Sequence, residues 1–162
     1  MKLKSFILST IAVVIAMGMC SCSKDKDEPE VAVAAQVAGT YTGQEIITVM
    51  GDESSNETTS FEFAKTTDSS VDMTIPQSGS MGHMTIPPLS VKNITLLKSG
   101  NNITGQLASY AGTVTNTDGA EKAYTINNLI VVFSEKSVVV SYALKYGNMP
   151  FDMITNFSGT KQ

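Results

Sequence analysis

The chain has 162 residues, 42% of them hydrophobic and 16% charged, with a formal net charge of −4. That is room for one domain with a core of its own, and it is too apolar and too weakly charged for a disordered chain. All 11 basic residues are lysines, so the planar fork that grips phosphate at two points is missing and the negative balance repels a polyphosphate backbone, which excludes nucleic acid as a partner.

The chain opens on basic Met1-Lys2-Leu3-Lys4, followed by an apolar run from Phe6 to Met19 that has signal length and is short for a permanent membrane helix. The run ends in Met17-Gly18-Met19-Cys20-Ser21-Cys22-Ser23, which resembles the lipobox of bacterial lipoproteins. That resemblance implies cleavage at a cysteine carrying diacylglycerol. Cys22 is the expected acceptor because the small Ser21 precedes it, and Cys20, behind the bulky Met19, is the fallback. Each buried acyl methylene contributes about 0.8 kcal/mol, so a multiply acylated cysteine holds its protein on a membrane essentially permanently. With both cysteines spent here, the rest of the chain has neither a disulfide framework nor a thiolate zinc site.

The expected organisation is a signal over 1–21, a flexible acidic tether over 22–35 and a β-barrel domain over 36–162. Ser23-Lys24-Asp25-Lys26-Asp27-Glu28-Pro29-Glu30 carries charge and proline without an apolar period, which is the pattern of a solvated spacer. It is similar to the acidic stretch of surface-exported lipoproteins in Bacteroidota-type Gram-negatives. The resemblance implies an outer-membrane, lipid-anchored protein facing the cell exterior, with periplasm-facing anchoring as the alternative.

Val31 to Gln36, rich in alanine, is the one expected helical turn. Beyond it, short runs of Val, Ile, Thr, Tyr and Phe alternate with Gly, Asn, Asp and Ser clusters, the pattern of strands joined by turns. The first strand spans 39–49; Gly43 and Glu45 fall on its apolar side, where a bulge or a wet end is expected. Asp52 to Thr58 is polar and is assigned to a loop, and strands follow over 60–64 and 71–75. Met73-Thr74-Ile75-Pro76 is echoed by Met84-Thr85-Ile86-Pro87 across a flexible segment, and Pro76, Pro87 and Pro88 should stop pairing there. Further strands are expected over 91–97 and over 103–114, the latter bent near Ser109 to Gly112. After the Asn116-Thr117-Asp118-Gly119 turn they continue over 123–126 and 129–133, with Asn127-Asn128 shifting the register. The last two cover 138–146 and 151–159.

The sum is an all-β fold of about eight strands, an antiparallel up-and-down barrel with a β-sandwich as the alternative. Removing the two edges of such a meander would pair Thr40-Tyr41-Thr42 with Asn156 to Thr160. With Val37-Ala38-Gly39-Thr40-Tyr41-Thr42-Gly43 at its start and Phe157-Ser158-Gly159-Thr160-Lys161 at its end, the chain resembles the calycin-like (lipocalin-like) β-barrel lipoproteins of Gram-negative Bacteroidota-type bacteria. The resemblance implies a lipocalin-like barrel and brings no reaction or ligand with it.

No catalytic constellation, metal site or cofactor motif stands out. His83 is the only histidine and lies in a Gly/Ser/Met loop, so a Ser-His-Asp relay or a multi-histidine metal site has nothing to build on. Asp52-Glu53 and the tether acids are not held at a fixed separation across a cleft. Tyr41, Phe61, Phe63, Tyr142, Leu144 and Phe157 point inward and are the candidates for lining a cavity, although eight-stranded barrels also fill themselves with side chains. The expected function is a membrane-anchored binding module for a small apolar ligand or a protein partner, and the alternative is an accessory surface lipoprotein with a filled barrel. An enzyme is not expected.

Overall fold

The computed structural model describes residues 31–81 and 84–162. The signal, both cysteines, the tether up to Glu30 and His83 lie outside the described residues. A helical turn, α1 (Val33–Val37), is followed by β1 (Gly39–Val49), β2 (Asp52–Lys65), β3 (Ser70–Ile75), β4 (Ser78–Met81) and β5 (Met84–Ile86). The chain continues through β6 (Leu89–Ser99), β7 (Asn102–Thr115), β8 (Glu121–Ser134), β9 (Ser137–Tyr146) and β10 (Met153–Lys161). Eight strands close an antiparallel barrel in the order β1-β10-β9-β8-β7-β6-β3-β2, and β4 with β5 forms a separate small hairpin.

Two-residue alternation builds this wall. Met153, Thr155, Phe157 and Gly159 of β10 are buried while the residues between them are exposed, and Val138, Val140, Tyr142, Leu144 and Tyr146 make the buried face of β9. Closure joins Thr42 to Thr160 and Gly43 to Gly159, as the meander argument requires. On β8 the inward set switches from Tyr124 and Ile126 to Leu129, Val131 and Phe133. A bulge between Asn127 and Ile130 opposes two residues to one of β9, and Asn128 takes φ 53°, a conformation asparagine tolerates.

Three sequence expectations change. Asp52 to Thr58 is not a loop: it is the first half of β2 and pairs with β1, because the Met50-Gly51 turn, both residues at positive φ, folds the chain straight back. No bulge occurs at Gly43 or Glu45; the register shift in β1 falls later, between Ile47 and Thr48. The segment between the two Met-Thr-Ile-Pro echoes carries β4, which pairs with β5 in the second echo itself. The prolines act as expected, since Pro76 follows β3 and Pro87 and Pro88 separate β5 from β6.

Strand directions define two ends. The base gathers α1, the β2–β3, β6–β7 and β8–β9 connections and the C-terminus, while the far end gathers the β1–β2, β7–β8 and β9–β10 connections. α1 seals the base with Ala34 and Val37 buried, and the Ala34 N–H donates to Asp68 O at 3.0 Å. The Tyr41 hydroxyl donates to Val37 O at 3.0 Å and Lys161 Nζ to Gln36 O at 3.0 Å, so the strands that close the barrel also hold the turn. Just above, Tyr41, Phe63 and Phe133 cluster with ring centroids 4.9 to 5.7 Å apart, and Phe61 stacks on Phe157 at 4.3 Å.

Candidate functional site

All six sequence candidates point into the barrel and are 0–3% exposed. Tyr41 and Phe63 belong to the aromatic cluster near the base, Phe61 and Phe157 form the stack above it, and Tyr142 and Leu144 stand on β9 toward the far end. At the level of the rings the interior is occupied by the rings themselves.

The far half of the interior is different. One inward row crosses from Ser55 through Ile47 and Thr155 to Tyr142, and the next runs from Glu57 through Glu45 to Phe157. Glu45 is 4% exposed, and among the described residues its Oε1 has no hydrogen-bond partner. Burial, and secondarily the like charge of Glu57 directly opposite, pushes the Glu45 carboxyl up to about 7. The Tyr142 phenol, opposite Thr155 on the β9–β10 ladder, is held well above its ordinary range by burial and by Glu45. Sequence reasoning found Tyr142 and noticed that Glu45 breaks the apolar pattern. It missed Thr155, which the alternation of Met153, Thr155 and Phe157 could have placed inside, and Glu57, which the loop assignment hid.

The far end is also incompletely walled. β3 bonds β2 only at Glu62 to Lys65, so among the described residues Asp52 to Phe61 of β2 ladder with β1 alone. β6 bonds β7 only through Leu96–Ser99 and Asn102–Gly105, which leaves Gln106 to Thr115 of β7 laddered with β8 alone. Tyr124 spans the β6–β7 seam: its hydroxyl donates to Ser90 O at 2.6 Å and accepts from the Ser90 N–H at 3.3 Å. Its ring crosses Gly112, where a Cβ would stand 2.5 Å from it. Tyr124→Phe keeps the ring and removes both bonds, and should cost about 1–2 kcal/mol in a urea melt; an unchanged midpoint would mean that water satisfies Ser90 as well as the phenol does.

The outer surface is polar. Thr42 and Ser60 share a hydrogen bond at 2.7 Å, and Gln44, Asn56, Glu53 and Thr58 continue a polar ladder over β1 and β2. Exposed Ile130, Val139, Ile154 and Leu97 interrupt this surface without forming a girdle around it. A membrane-spanning barrel has the opposite arrangement, with an apolar band outside and polar residues inside. This wall is therefore not built to face hydrocarbon. Among the described residues no group of three or more His, Cys, Asp or Glu converges as a metal site.

No known protein family matches the chain, and no curated protein does. A crystal structure from Bacteroides fragilis, of a protein described as a putative outer membrane protein, superposes with a TM-score of 0.66 at 18% identity over 81% of this chain. The match spans 53% of that protein, so this chain corresponds to about half its length, and at that identity the likeness is one of fold. A redesigned β-barrel also aligns, at 11% identity and a TM-score of 0.40, over 82% of this chain and 97% of its own. The chain thus forms an eight-stranded antiparallel barrel whose fold is shared with part of a Bacteroides protein.

Proposed function

We propose that the chain is an outer-membrane lipoprotein, acylated on Cys22, whose barrel is a binding module that takes an extended segment of a protein partner at its far end. The observation that carries the reading is the edge of β2 from Asp52 to Phe61, which among the described residues bonds no strand but β1. Such an edge presents backbone donors and acceptors to any chain that lies beside it, and strand addition is a standard mode of peptide recognition. The polar outer wall supports an anchor separate from the barrel. The outer-membrane description of the Bacteroides protein with the same fold agrees with this location. A small apolar guest among Tyr41, Phe61, Phe63 and Phe157 would have to displace rings that already pack on one another, which favours the protein partner.

Two measurements test it. Metabolic fatty-acid label should vanish in Cys22→Ser and persist in Cys20→Ser. A photo-crosslinking residue at Ser54 or Asn56 should capture a defined partner on intact cells, and one at Lys136 on the base should not. Equal capture from both ends would remove the strand-edge reading, and label that depends on neither thiol would remove the anchor.

A further inference from the structure

Glu45 stands on β1 opposite the β2 edge proposed for strand addition, and its chemistry is unusual for a barrel interior. The Glu45 residue is more than nine-tenths buried, with Oε1 unpartnered among the described residues. A buried acceptor without a donor costs on the order of 1–3 kcal/mol, more when charged, so a fold tolerates one where something supplies the donor. Glu57 faces it directly across the β1–β2 ladder and is exposed. Among the described residues this part of β2 ladders with no second strand, β4 lying near β2 without bonding to it, so the pair lies where the hydrogen-bonded wall is incomplete. Thr155 and Tyr142 face one another in the adjoining row.

We propose that Glu45 and Glu57 together bind the ammonium group of a small organic amine, which enters beside the unpaired half of β2 and donates its N–H groups to both carboxylates. Two carboxylates opposite each other on one face of a ladder have side chains about 5 Å apart at Cβ, a spacing that one ammonium bridges with two charge-assisted hydrogen bonds. The three donors of a primary ammonium match the missing donor at Oε1, whereas a quaternary ammonium carries the same charge and no donor. The apolar side chains of Ile47 and Phe157 on the neighbouring inward positions suit a short alkyl stem.

The test is a titration of the full barrel domain at pH 8 with n-propylammonium chloride, followed by the NMR shift of the Glu45 carboxyl carbon and by melting temperature against sodium chloride of equal ionic strength. Saturable binding that falls at least tenfold in Glu45→Gln and several-fold in Glu57→Gln is the expected result. Glu57 is exposed and the Glu45 amide fits the same space, so both variants should fold. Tetramethylammonium producing the same shift, or Glu45→Gln binding within threefold of the parent, would overturn the proposal. So would a carboxyl resonance that answers to pH and not to amine, because Glu45 would then be a protonated core residue and nothing more.

Discussion

Gly43→Ala should destabilise the barrel by about 3 kcal/mol or more, read as a lowered urea midpoint with an unchanged slope. β1 and β10 meet with Gly43 opposite Gly159, and a Cβ on Gly43 would land on the Ser158 carbonyl and the Gly159 Cα, well inside contact distance. Overpacking a core costs typically ~1–3 kcal/mol because side chains shift to make room. Backbone atoms bound into a ladder have no such freedom, so the two strands would have to part at the seam that closes the barrel. Gly159→Ala supplies the comparison. Its Cβ meets mainly the edge of the Phe157 ring, at 2.5 and 2.8 Å, and a ring can tilt where a carbonyl cannot. The expected order is therefore Gly43→Ala worse than Gly159→Ala, with the tilted ring disturbing the stack on Phe61. If Gly43→Ala melted within 0.5 kcal/mol of the parent, the seam would have slack and closure would not depend on the glycine pair.

Much of this wall was legible in the residues. Tyr142, Leu144 and Tyr146, or Phe61 and Phe63, announce an inward face because the pleat has a period of two and apolar side chains must share one side of it. Even the closing pair could be argued, since an open eight-stranded meander leaves two edges. The failures have a common cause. Asp52 to Thr58 reads as a loop because it has no apolar face, but a strand at an incomplete part of the wall needs none: β1 supplies its ladder and solvent takes the rest. The same error concealed that Glu57 opposes Glu45. Gly43 drew the expectation of a bulge because it falls on the apolar side of its strand, whereas its role is steric, allowing two backbones to approach. Hydrophobic pattern reports what is buried; it is silent on which polar strand lies beside which, and in this barrel the candidate site lies in that unreadable part.

Glu45→Gln should make the protein more stable at pH 8, by up to about 3 kcal/mol, and leave it nearly unchanged at pH 4. The carboxyl is pushed from its ordinary 4.5 up to about 7, by burial first and by Glu57 second, and each unit of such a shift corresponds to about 1.4 kcal/mol. The folded chain thus keeps a proton through a range in which the unfolded chain has released it. Stability is then fully present below about 4.5, declines as pH rises, and reaches its floor above about 7. The Tyr142 phenol does not blur this window, because burial holds it neutral across it, and the like charge of Glu57 opposite is already among the causes of the shift. An amide has the shape of the carboxyl and no charge to desolvate, so the variant's stability should run flat where the parent's falls. For a domain of this size 1 kcal/mol moves the melting temperature by roughly 3–5 °C, so the two curves should separate by several degrees between pH 5 and 8. Bound amine closes that gap from the parent's side, because a cation between the carboxylates stabilises the ionised form and does nothing for the glutamine. Parallel curves for parent and variant would mean that Glu45 is solvated through the open wall, and the case for a buried, donor-seeking carboxyl would fall with them.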